Sequence, residues 1–120
     1  MKIFNRNVAI LGGLFQKIKT VTAAAGAATL HAFAGKVTSE SLTTAQNAIY
    51  TLTLTNENIT ADSIVLVTVG NGTNTQGTPM VGIVTPGAGS AVIRVINKHA
   101  TAEAFNGTIV VSFQVIKVAA

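Results

Sequence analysis

The chain has 120 residues, enough for one hydrophobic core and too few for two. It is 48% hydrophobic and 10% charged, the reverse of the balance that keeps a chain disordered. It holds no apolar run of the roughly 18 residues that a membrane-spanning helix needs, and no cysteine for a disulfide or thiolate metal site.

Charge is concentrated at the start. Lys2, Arg6, Lys17, Lys19 and Lys36 give residues 1–36 a charge of +5 with no acid, while residues 37–120 sum to −1. Apolar side chains are interleaved with these bases. A cleaved secretory signal would need an unbroken apolar stretch, but Gly12-Gly13 interrupts it and Gln16, Lys17 and Lys19 follow. The expectation is a retained anchoring arm over residues 1–36, ending in an Ala/Gly linker at 23–28. Ile10, Leu14 and Ile18 fall at i, i+4 and i+8, the spacing of a helical turn; an extended arm is the alternative. The anchoring candidates are Ile3, Phe4, Arg6, Ile10, Leu11, Leu14, Phe15, Lys17, Ile18 and Lys19. Phe4, Phe15 and Phe33 are the arm's aromatics and lack the regular spacing of a base-stacking platform. The arm is therefore expected to meet protein, with no nucleic acid and no membrane as partner.

The body reads as strands. Val and Ile number 25 against 7 Leu, and Thr adds 17, a composition that suits a pleated, half-buried surface. A first strand is expected over residues 28–39. Residues 49–55 alternate, with Tyr50, Leu52 and Leu54 on one face and threonines on the other. Residues 63–69 are apolar on both faces, which predicts a core on one side and a neighbouring subunit on the other. Residues 70–78 carry turn chemistry and predict an exposed loop. Short strands follow at 79–84 and 91–97, joined by the turn Pro86-Gly87-Ala88-Gly89. The last strand, 108–118, sets Ile109, Val111, Phe113 and Val115 against Val110, Ser112, Gln114 and Ile116. Six to eight strands with turns every eight to twelve residues predict an all-β fold, a single antiparallel β-sandwich or jelly-roll-like domain over 37–120. Val65, Val67, Val110 and Ile116 are the candidates for a subunit interface.

Chemistry is sparse. His31 and His99 are far apart in sequence, and the acids are Glu40, Glu57, Asp62 and Glu103. No spacing gathers three metal ligands or a pair of catalytic carboxylates, and no serine lies in a nucleophile elbow. The Gly-rich turns lack the strand-to-helix setting of a phosphate cradle. Asn58, Asn71 and Asn106 head Asn-x-Thr triplets, which read as turn chemistry in a chain rich in Asn and Thr. The expectation is a non-enzymatic protein with no cofactor and no metal.

Several blocks carry a resemblance: Tyr50-Thr51-Leu52-Thr53-Leu54-Thr55-Asn56, Ile59-Thr60-Ala61-Asp62-Ser63-Ile64-Val65-Leu66 and Gly70-Asn71-Gly72-Thr73-Asn74-Thr75. Val84-Thr85-Pro86-Gly87-Ala88-Gly89-Ser90, Ile96-Asn97-Lys98-His99-Ala100 and Asn106-Gly107-Thr108 continue the series. In that order they resemble a domain of tailed-bacteriophage virion proteins, found in small capsid-decorating (cement) proteins and at the ends of some fibres. The resemblance implies a β-sandwich in symmetric oligomers with no catalytic residues. It leads to the expectation of a homotrimer bound to the major capsid protein on the outer capsid surface. The alternative is a receptor- or glycan-binding module of a fibre or tail. Sugar sites commonly present Trp or Tyr faces, and the chain has no Trp and one Tyr.

Overall fold

The computed structural model describes residues 18–117. Eight strands follow in order: β1 (Lys19–Thr22), β2 (Ala27–Thr29), β3 (Ala34–Thr38), β4 (Ile49–Thr55), β5 (Ile64–Asn71), β6 (Pro79–Gly87), β7 (Ser90–Asn97) and β8 (Ile109–Ile116). They form two four-stranded sheets, sheet A in the order β1-β3-β8-β5 and sheet B in the order β2-β4-β7-β6. Every connection except the β6–β7 hairpin passes from one sheet to the other. The all-β sandwich expected from the composition is the fold. Its pairing is antiparallel apart from one edge, where β1 joins β3 and β2 joins β4 in parallel.

Inward-facing residues follow the two-residue period of each strand. In β4, Tyr50, Leu52 and Leu54 are buried and the threonines between them exposed. They pair with Val95, Ile93 and Ala91 of β7. In sheet A the register lines up Val21, Val37, Val111 and Val69, one valine from each of four strands. Branching at Cβ restricts χ1 and keeps such a row packed at little entropic cost. Beside it, Gly35 makes room for its neighbours: a Cβ there would come within 2.7 Å of Leu30 Cδ2 and 3.1 Å of Phe113 Cε1.

The first part of the chain departs from expectation. Residues 28–39 are two strands in different sheets, not one, and residues 19–36 belong to the sandwich rather than to an arm. The boundary placed after residue 36 falls inside β3. The supposed linker is a tight turn: Ala24 and Ala27 exchange both backbone hydrogen bonds, at 2.9 and 3.0 Å. Ala25 and Gly26 sit at φ +49° and +74°. Two consecutive positive φ values give the turn a twist that matches its flanking strands. Ala23 and Ala28, read as linker, are buried.

Candidate interaction surface

Polar side chains in the described residues serve mainly to hold loops. Asn56 and Asn97 are fully buried. Asn56 donates to Ala32 O at 2.6 Å and accepts from Ala32 N, fixing the crossover between β2 and β3. Asn97 Nδ2 donates to Thr44 O and Glu103 O, and its Oδ1 accepts from Thr78 N and His99 N. The loop after β5 is laced to the segment before β8. Thr73 N and Thr108 N each donate to the other residue's hydroxyl at 2.9 Å. Asn106 Oδ1 accepts from Thr75 N and Asn74 Oδ1 accepts from Asn106 N, both at 2.8 Å. Asn74 is therefore buried in a stretch expected to be an exposed loop. Gly107 allows the approach, since a Cβ there would lie 2.5 Å from Thr73 Oγ1.

The titratable groups are dispersed. His31 Nδ1 accepts from Glu57 N at 3.0 Å. His99 Nε2 lies 3.5 Å from Glu103 Oε2, an acid neighbour supplied by the fold four residues on. Among the described residues no three metal-ligating side chains converge. Glu40 is committed inside the sandwich edge: it accepts from Gly26 N at 2.7 Å and from the Tyr50 hydroxyl at 2.8 Å. Burial, reinforced by the hydrogen bond to Glu40 and its negative charge, pushes the Tyr50 hydroxyl well above the ordinary phenol range.

Two groups of outward-facing side chains are apolar. On sheet B the register sets Ile49 level with Ile96, and Ile96 level with Met80, a row across β4, β7 and β6. Ile49 and Met80 are about half exposed. A bulge between Val81 and Val84 inserts an extra residue into edge strand β6 and leaves Ile83 66% exposed. Gly82 within the bulge leaves room for Ile96, whose Cδ1 would lie 3.1 Å from an added Cβ. On sheet A, Ile64 pairs with Ile116 and Leu66 with Gln114, and Ile64, Leu66 and Ile116 are exposed. Beside them an open groove of about 310 Å³ is lined by Leu66, Thr68, Ser112, Phe113 and Gln114. Groups of exposed apolar side chains this close together mark contact surfaces, whereas scattered ones do not.

These positions differ in part from the expected interface. Val65 and Val67 face inward and pack against the core. The outward residues of β5 are Ile64 and Leu66. Alternation separates two faces but does not say which is inside; pairing of Val67 with Phe113 decides it. Val110 and Ile116 are on the outer face, Val110 half-buried and Ile116 exposed. Ile49, Met80, Ile83 and Ile96 face outward without being singled out by the sequence pattern, although Ile49 stands on an otherwise all-threonine face of β4. Of the arm candidates, Lys19 is in β1 and Ile18 precedes it, 55% exposed. Ile3, Phe4, Arg6, Ile10, Leu11, Leu14, Phe15 and Lys17, with the helical turn over 10–18, lie outside the described residues. No helix in the described residues is long and apolar enough to cross a membrane. Comparison with family models, with curated proteins and with solved structures gives no match.

Proposed function

We infer that this is a structural protein of a virion, decorating and cementing the outside of a bacteriophage capsid as a symmetric oligomer, the expected form being a homotrimer. The observation that carries the inference is the outward apolar row Ile49–Ile96–Met80 with Ile83 beside it, on a domain whose surface holds little charge. Burying a side chain of that kind against another subunit contributes about 1.5–3 kcal/mol. Several such residues on each copy would contribute together to a symmetric interface. The sandwich would form the body of the oligomer, and the basic, apolar N-terminal residues would contact the major capsid protein. The resemblance of the residue blocks to those of virion modules is what supports the step from oligomer to capsid.

The polar loop residues Thr73, Thr75, Asn74 and Asn106 hydrogen-bond to one another and to backbone, so they support a rigid end more than a sugar site. Copy number on purified particles tests the function. Hundreds of copies per particle, removed together with a loss of shell stability, are expected; a few copies located at a tail would overturn it.

A further inference from the structure

We propose that the free edge of β5 pairs with itself: when copies are concentrated, β5 of one adds antiparallel to β5 of a second and joins their two A sheets across a two-fold axis. β5 is an outer strand of sheet A, with β8 on one side and no strand on the other. The ladder shows which backbone groups remain. Gly72 N donates to Thr108 O at 2.8 Å, in line with the register of the pair, so the residues of β5 that bond to β8 are the even-numbered ones. Val65, Val67 and Val69 therefore turn their N–H and C=O groups away from β8. Among the described residues no turn or loop backbone bonds to them.

The other outer strands carry devices that prevent such pairing. β2 has three residues, and β1 has four and begins at Lys19. β6 has Pro79, Pro86 and the bulge between Val81 and Val84. β5 has eight residues, no charge, no proline and an unbroken register with β8. Such an edge is a template for another strand.

The strand that fits it is β5 itself. Reversed about Val67, the sequence sets Val65 opposite Val69 and Val67 opposite its own copy, each pair exchanging both backbone hydrogen bonds. On the outer face Leu66 falls opposite Thr68 and Ile64 opposite Gly70, a large side chain against a small one each time. An axis at Leu66 would instead set leucine against leucine. Gly70 points to the same partner by a separate route. It lies in a regular strand without positive φ, and a Cβ there would meet nothing within 4 Å. Neither backbone nor crowding inside the chain calls for a glycine, whereas Ile64 of a second copy would fill the open space. The symmetry brings no like charges together, because β5 has none. Val65, Val67 and Val69 are only partly buried in one copy, and the valines of the second would close that rim of the core. A contact one strand wide falls below the roughly 1,200–2,000 Å² of a lasting interface, so it forms at high concentration. It is independent of the sheet B contact and of any shell.

The absence of cysteine makes the test direct. Facing residues between the hydrogen-bonded pairs of antiparallel strands have Cα atoms about 4.5 Å apart, within disulfide reach, and diagonal ones about 7–8 Å apart, beyond it. Leu66 and Thr68 are both exposed, so full-length Leu66→Cys and Thr68→Cys chains should fold. Mixed at high concentration under a mild oxidant, they should link to each other, and each alone should link at least about fivefold less. In the unmodified chain, amide exchange at Val65, Val67 and Val69 should slow by about tenfold from dilute to concentrated samples. No link in the mixed sample, or equal linking in all three, would overturn the proposal. Exchange that is slow at every concentration would overturn it in favour of another segment of the same chain on this edge.

Discussion

Asn56 and Asn97 stand at opposite ends of the β4–β7 pair, both fully buried, and each uses its side-chain amide to close a different set of loops. The sandwich is held at its two ends by neutral polar clamps of the same residue type. A buried amide with its partners met is tolerated; one partner removed leaves several groups without water or protein to bond.

Replacing Asn97 by Leu fills the space and leaves Thr44 O, Glu103 O, Thr78 N and His99 N without their shared partner. The loss of stability should be about 2–4 kcal/mol, given about 1–3 kcal/mol for each buried group left unpaired and partial relief by water. Denaturant unfolding of Asn97→Leu checks this; an unchanged midpoint would show that the clamp is dispensable.

The Ala25-Gly26 turn can be improved. An alanine in the left-handed region costs about 1–2 kcal/mol, and Asn-Gly is the favoured pair for such a turn. Ala25→Asn should therefore stabilise the domain by up to about 1 kcal/mol, raising its Tm by about 4–8 °C. Gly26→Ala should do the opposite, because a Cβ at φ +74° would lie 2.7 Å from Thr51 O. Thermal melts of the two variants should move in opposite directions.

Tyr50 supplies a pH dependence. Its hydroxyl is held un-ionised in the fold by burial and by Glu40, so the folded state keeps its proton where the unfolded chain loses one. Stability from this group is complete below the unfolded phenol value near 10 and declines as pH rises above it, by at most about 1.4 kcal/mol per pH unit. Tyr50→Phe should flatten that part of the curve. Wild-type and variant unfolding measured between neutrality and strong alkali gives the comparison, which also cancels the lysines.

The two faces of β5 and the row on sheet B should respond differently to charge. In the proposed oligomer, Met80→Lys with Ile83→Lys should cause dissociation while shifting monomer stability by no more than about 0.5 kcal/mol, as exposed positions do. Val67→Asp should instead unfold the domain, since it faces Phe113 in the interior. Sedimentation for the first and circular dichroism for the second separate assembly from folding.

What could be read beforehand followed the strength of local patterning. In β4 every second residue is a large apolar one, so Tyr50, Leu52 and Leu54 identify both the strand and its buried face. The strands β1 and β2 carry no such signal: Ala27 and Ala28 are too small to mark a face, and both strands exist through pairing with β3 and β4. Val65 and Ile64 differ by one methylene, so composition could not tell inside from outside; their partners on β8, 50 and 52 residues away, did. The acid beside His99 was four positions along the chain but in an irregular loop, where no period relates one side chain to the next.

The route of the chain through sheet A gives the domain a direction. Ile18 enters and Lys117 leaves at the same pole, on strands separated only by β3, while the threonine and asparagine lacing of residues 72–77 and 103–108 closes the opposite pole. A peptide genetically fused to either end of residues 18–117 would therefore emerge on one side, with the laced pole left bare. Two fusions on one copy would be near neighbours, about 14 Å apart at their roots, and an array of copies would present every cargo facing the same way.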